Sequence, residues 1–272
     1  MIYTLDNVTK QYRTRAGLVD ALTGVSLNVQ EGECVALIGK SGVGKSTLFR
    51  LLNATQRPTS GRLKFGQHDV GRMSSRELRD LRGSVGTVFQ QHHLVPSLSV
   101  LDNTLSGSLC RWSLLHTLRN IVSPSKQDAE QAMQMLEAVG LADKWRARAD
   151  ELSGGQQQRL AIARTLMQKP KVILADEPVA SLDPELAETI TKLLVKIASE
   201  SKRTLVISLH AVELVRRYFP RVVALRGGAV SFDVSTRNLD REMLEEVFVD
   251  SPPNVKETLR FDGHTSRRLH AC

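Results

Sequence analysis

The apolar residues of this chain fall into two kinds of pattern. Short apolar runs read as strands: Cys34-Val35-Ala36-Leu37-Ile38 as a buried one, Val172-Ile173-Leu174-Ala175 as a central one covered on both faces, and Thr204-Leu205-Val206-Ile207-Ser208 as a third. Between them lie segments with helical spacing. Ala132, Met133, Leu136 and Val139 make one apolar stripe, and Leu186, Ile190, Leu193, Leu194 and Ile197 make another. A third helix is read around Leu160, Ile162, Ala163 and Leu166, and a polar one over about Ser75 to Arg82. Strands alternating with helices predict an α/β chain with a mostly parallel sheet and ligands at the strand ends. Residues 1–30 are read as β-rich, with Val25 to Val29 alternating as a half-buried strand. Arg62 to Phe65 and Ser84 to Phe89 add strands, and Gly227-Gly228 turns a closing hairpin. From about residue 92 to 164 the pattern is helical, which predicts a helical subdomain inserted into the α/β core. The ordered domain is expected over 1–249. The stretch 250–272, with Pro252-Pro253 and little periodicity, is expected to be poorly ordered.

Composition narrows the classes without choosing among them. The 272 residues are 41% hydrophobic and 24% charged, ordinary for a globular protein that can bury a core. Aromatics are only 4%, which argues against a base-stacking platform, and no nucleic acid is expected as partner. The most apolar long window, Val100 to Val122, is interrupted by Asp102, Arg111, His116 and Arg119, so no membrane span is predicted. Three widely spaced cysteines and a start without a basic, apolar leader point to a cytoplasmic chain. The net charge of +8 is scattered, and part of it sits in the tail at Arg260, Arg267 and Arg268.

Candidate chemistry sits at the ends of the apolar runs. Gly39-Lys40-Ser41-Gly42-Val43-Gly44-Lys45-Ser46 follows one run and precedes a helix opening at Thr47, which is the spacing and context of a phosphate-binding loop. There, backbone N–H groups and the positive end of the helix dipole converge on an anion. Lys45 would reach the β- and γ-phosphates and the Ser46 hydroxyl would ligate Mg²⁺. A second run ends in Asp176-Glu177. Asp176 would hold Mg²⁺, and Glu177 would polarise the water that attacks the γ-phosphate. No Asn-Lys-x-Asp guanine signature is present, so the nucleotide expected is ATP.

Further motifs carry a resemblance. Leu152-Ser153-Gly154-Gly155-Gln156 resembles the signature of the ATP-binding cassette (ABC) ATPases without mismatch, and Gln90, Ser181-Leu182-Asp183, His210 and Tyr12 stand in that family's order. The resemblance implies a P-loop NTPase (RecA-like) core with a mostly parallel sheet, an antiparallel β subdomain and an inserted α-helical signature subdomain. It also implies that Tyr12 stacks on adenine, that Gln90 contacts Mg²⁺ or the attacking water, and that His210 binds the γ-phosphate and orients Glu177. Ser153, Gly154, Gly155 and Gln156, with Asp183, would serve ATP held by the opposite subunit, so a head-to-tail homodimer is implied. Lys40 and Val43 depart from the residues common at those positions. Phe89 to Leu101, Leu105-Ser106-Gly107 and Ala175 to Pro184 are similar to the ATPase subunits of phosphonate importers. That similarity implies integral membrane permease subunits and an extracytoplasmic substrate-binding protein as partners, a peripheral location on the cytoplasmic face of the inner membrane, and import of a phosphonate or related phosphorus oxyanion. A transporter of another substrate or direction is the alternative, followed by a soluble ABC ATPase. His92 to Val122, with Trp112 and Leu115 as anchors, is the expected permease-contact surface.

Overall fold

A computed structural model describes residues 1–15, 17–113, 115–117, 119 and 124–248. The stretch 250–272, read above as a tail, lies outside the described residues, as do Leu114 and Leu118. Two sheets form the frame. The first is antiparallel, in the order β2-β1-β4-β5, from β1 (Tyr3–Thr14), β2 (Gly17–Val29), β4 (Ser60–Phe65) and the short β5 (His68–Asp69). The second has the order β10-β9-β3-β8-β7-β6, from β3 (Cys34–Ile38), β6 (Val85–Phe89), β7 (Val172–Asp176), β8 (Thr204–Ser208), β9 (Arg221–Arg226) and β10 (Ala229–Ser235). Its pairs are parallel except the β9–β10 hairpin at one edge. The expected α/β core with an antiparallel β subdomain is the architecture found.

The unbroken apolar runs are explained by residue alternation between two cores. Val35, Leu37, Val172, Leu174 and Val206 point into a cluster with the antiparallel sheet and helix α1 (Lys45–Leu52). Ala36, Ile38, Ile173, Ala175, Leu205 and Ile207 point the other way, onto α5 (Gly154–Met167), α6 (Pro184–Glu200) and α7 (Val212–Tyr218). Each strand is therefore buried on both faces and cannot alternate with polar residues. Helices α2 (Ser75–Ser84), α3 (Val100–Ser106), α4 (Lys126–Ala138) and α8 (Arg241–Phe248) complete the chain. Within the region read as helical, α3, α4 and α5 pack on one another around Leu105, Ala132 and Met167, and Trp112 lies against that cluster. Among the described residues, no helix is long and apolar enough to cross a membrane.

Sheet register is what assembles the site. Ser208 of β8 pairs with Leu37 of β3, Ala175 of β7 with Ile207, and Phe89 of β6 with Asp176. The carboxyl ends of four adjacent parallel strands thus finish level. The loops leaving them meet there: Gly39 after β3, Leu209-His210 after β8, Glu177 after β7 and Gln90 after β6.

Candidate active site

The phosphate loop wraps into α1 at Gly44, whose φ of 111° a side chain would resist. A Cβ there would also sit 2.4 Å from the Ala21 carbonyl of β2, so the hairpin packs directly on the loop backbone. Val43 is half-buried against the apolar cluster beside it, which anchors the loop from below. Lys45 is buried at 4% exposure, and its Nζ donates to the carbonyls of Gly39 at 2.8 Å and Lys40 at 3.0 Å. A cavity of about 280 Å³ opens above it. Ser41, Gly42, Gly44, Lys45, Ser46 and Thr47 line one side, with Gln90, Asp176 and Glu177 facing them.

Glu177 is the focus of the facing wall. Its Oε1 lies 2.7 Å from His210 Nε2 and 3.3 Å from Lys45 Nζ. Its backbone is left-handed, at φ 48°, a conformation a non-glycine residue holds only when its surroundings impose it. Ser208 is the source of that constraint. The Glu177 N–H donates to Ser208 Oγ at 2.7 Å, and the Ser208 hydroxyl donates to Asp176 Oδ1 at 2.9 Å. One fully buried hydroxyl on β8 therefore sets both carboxylate residues of β7. Sequence reading passed over Ser208; the available signal is a polar residue closing an otherwise apolar strand, two positions before His210. Ser208→Ala would leave the Glu177 N–H without its acceptor, and urea unfolding should show a loss of about 1–3 kcal/mol. Wild-type stability in that variant would mean the hydroxyl does not hold the turn.

The donor set in the cavity fits a magnesium–nucleotide. Among the described residues no group of three or more His, Cys, Asp or Glu side chains is placed to hold a metal by itself. The Ser46 hydroxyl, the Gln90 amide and the Asp176 carboxylate share the cavity wall and are all oxygen donors. A few protein oxygens completed by phosphate oxygens and water is the arrangement a hard, octahedral Mg²⁺ takes.

Two predicted groups lie apart from this cavity. Tyr12 is half-buried beside α1, its hydroxyl donating to Gln56 Oε1 and the Lys10 ammonium 5.3 Å from its ring centroid. Burial raises its pKa, but hydrogen bonding to Thr47, Arg50 and Gln56 outweighs this and holds the phenol below its ordinary value. Ser153 caps α5: its Oγ accepts from the Gln156 N–H while its own N–H donates to Gln156 Oε1 at 3.1 Å. The two glycines after it differ. Gly154 faces open space, whereas a Cβ on Gly155 would come within 2.4 Å of Leu186 Cδ2, so Gly155 lets α5 seat against α6. Asp183, exposed, caps α6 by accepting from the Leu186 N–H at 3.0 Å.

Comparison with known proteins identifies the family. The family described as ABC transporter matches residues 22–180. A phosphonates import ATP-binding protein of Nostoc sp. is 43% identical, over 96% of this chain and 95% of the relative. One from Frankia casuarinae is 46% identical, over 87% of this chain and 91% of the relative. Among solved structures, the dimeric bacterial ABC transporter cassette MJ0796 superposes with a TM-score of 0.76 at 32% identity, covering 87% of this chain and all (100%) of that one. The cassette cbiO1 of Clostridium perfringens, part of an ABC transporter complex, gives 0.76 at 30% identity, covering 90% of this chain and 94% of its own. The chain belongs to the ABC transporter family, among its ATP-hydrolysing cassettes.

Proposed function

We propose that this chain powers an importer of phosphonate or a related phosphorus oxyanion, working as a head-to-tail homodimer on the cytoplasmic face of the membrane. The observation that carries the two-copy reading is a half-site in each of two places. The phosphate loop cavity has Lys45, Ser46, Asp176 and Glu177 but not Ser153, whose exposed helix start turns to solvent elsewhere. A second copy would bring Ser153, Gly154 and Gln156 to the γ-phosphate, with Asp183 at the same seam. The dimeric form of the similar MJ0796 cassette supports this arrangement.

Within the site, the phosphate-loop N–H groups and Lys45 would bind the triphosphate. Ser46, Asp176 and Gln90 would hold Mg²⁺, which when bound supplies neutralising charge between phosphate oxygens. Lys45 is shared between two loop carbonyls and Glu177. Phosphate oxygens would draw its ammonium away as the stronger partners and leave the Glu177 carboxylate to accept the proton of the attacking water. His210, already 2.7 Å from Oε1, would orient that carboxylate. Tyr12 would contribute from beside α1 by stacking on the adenine.

The permease and the extracytoplasmic binding protein enter this reading through the family. Val95, Leu98, Leu109 and Leu115 are large apolar side chains left exposed after β6, Leu115 at 80%. They support the described part of 92–119 as a permease-docking surface; residues 120–122 of the expected surface lie outside the described residues. Leu115 is the better anchor, because Trp112 packs partly on the helical cluster. Phosphorus oxyanion as cargo is supported by the relatives' import names. Vesicles carrying the full transporter should accumulate methylphosphonate in an ATP-dependent way and in preference to phosphate. Uptake of none of phosphonate, phosphite or phosphate, with ATP hydrolysis intact, would overturn the cargo and leave the ATPase standing.

A further inference from the structure

Tyr12, the expected adenine platform, stands on a part of β1 that the sheet does not brace. β1 pairs with β4 only as far as Thr9, opposite Ser60, while residues 10–14 pair with β2 alone. The register slips between Lys10 and Gln11, and the far arm of the ribbon leaves Leu18 at 70% and Val19 at 50% exposed. A two-stranded ribbon in water is marginally stable by itself. A flat ring that must meet a flat base needs firmer placement than such a ribbon gives.

The firmer ties come from the turn after α1, the helix that begins at the phosphate loop. The Thr59 N–H donates to the Thr9 carbonyl at 2.8 Å, the Gln11 N–H to Thr59 Oγ1 at 3.0 Å, and the Lys10 ammonium to the Arg57 carbonyl at 3.0 Å. Gln56 makes the tie to the ring itself, its Oε1 accepting the Tyr12 hydroxyl. The Gln56 backbone is fixed in turn, its N–H donating to the Arg50 carbonyl at 3.0 Å behind left-handed Ala54, at φ 53°. Among the described residues the phenol is the one hydrogen-bond partner of the Gln56 side chain. Thr47 and Arg50 of α1 also reach the phenol, and Thr47 lines the phosphate cavity. The tilt of the ring is therefore referred to α1 rather than to the ribbon that carries it.

We propose that Gln56 is a positioning residue for base binding: by holding the Tyr12 hydroxyl it keeps the ring in the orientation that stacks on adenine, at a set distance from the phosphate loop. Lys10, pinned to Arg57 and lying over the ring at 5.3 Å from its centroid, covers one face, so the base takes the other. Gln56 does not line the phosphate cavity, so its effect falls on the base and not on the triphosphate.

The role of Gln56 rests on the reading of Tyr12 as the adenine platform, and the test keeps the two apart. Gln56→Met retains length without the acceptor, Tyr12→Phe retains the ring without the hydroxyl, and Tyr12→Ala removes the ring. In the full chain, competition against a fluorescent ATP analogue gives affinities for ATP and for inorganic tripolyphosphate, which has no base to stack. ATP affinity should fall by about three- to tenfold in Gln56→Met and in Tyr12→Phe, the size of a misaligned aromatic stack. Combining the two should cost no more than either alone, because each breaks the same bond. Tripolyphosphate affinity should stay within about twofold of the wild type throughout. Unchanged ATP affinity in Gln56→Met, beside a loss in Tyr12→Ala, would overturn the role of Gln56 and leave Tyr12 as the platform. Equal losses for ATP and tripolyphosphate would make the contact merely structural and overturn it too. Should Gln56→Met not fold, Tyr12→Phe decides by the same criteria. Unchanged ATP affinity in Tyr12→Ala would overturn the stacking reading itself, and the role of Gln56 with it.

Discussion

Glu177→Gln is expected to bind ATP as the wild type does and to hydrolyse it roughly 10²–10⁴-fold more slowly, the range that a positioned general base contributes. The substitution keeps the side chain's shape and its reach to His210, now 2.7 Å from Oε1, but removes the carboxylate that accepts a proton. Because the left-handed turn at Glu177 is set by its backbone bond to Ser208 and not by its own carboxylate, the variant should keep the wall of the cavity intact. ATP should then accumulate between two copies. Light scattering should show an ATP-dependent dimer that persists where the wild type returns to monomer. Hydrolysis at the wild-type rate would remove Glu177 from the general-base role.

Lys45→Ala should act one step earlier, on binding. The ammonium is buried and, among the described residues, is the one side-chain cation lining the phosphate-loop cavity. Its loss removes charge-assisted bonds to phosphate and leaves Glu177 facing the site without its counter-charge. Truncating one partner of a buried, hydrogen-bonded charge pair costs about 2–5 kcal/mol, so ATP affinity should fall by at least about thirtyfold. Equilibrium binding of a fluorescent ATP analogue measures it directly. Affinity within a factor of about two of the wild type would show that the loop N–H groups alone hold the triphosphate.

How far each feature could be read in the linear chain depended on the range of the interaction behind it. The phosphate loop and the Ser153 cap are local: glycine freedom, a helix start and reciprocal capping act within a few residues, so spacing alone reveals them. The buried strands were legible because both faces are covered, which leaves nothing to alternate. The β1–β2 hairpin was legible only as a β-rich stretch. Register shifts at Leu5/Val8, Val8/Lys10 and Lys10/Gln11 break the period of two, and the exposed face is polar, so the length of β1 did not show. Helices α7 and α8 were missed, each being too short to display a stripe that stands out from a loop.

The site divides in the same way. Lys45 and Ser46 could be named from the phosphate-loop spacing, and Asp176 and Glu177 from closing an apolar run, because both are local patterns, whereas Gln90 and His210 took their roles from the resemblance to the ABC ATPases. That they form an ATP-hydrolysing site was read from these patterns, and the ABC transporter family from the further motifs in their order. What required the folded sheet is the set of contacts between those loops: Lys45 with Glu177, Ser208 bridging Asp176 and the Glu177 backbone, and Arg164 donating to the His92 carbonyl of the loop after β6. The nearest of these partners in sequence, Ser208 and Glu177, stand 31 residues apart, and Arg164 and His92 stand 72 apart. No periodicity links positions so distant. Only strand register brings the four carboxyl ends level, and only helix packing turns α5 toward the loop after β6. The residues that do chemistry were thus legible from short-range rules and, for Gln90 and His210, from their place in the motif order, while those that hold them in place became visible only once long-range pairing had decided which side chains meet.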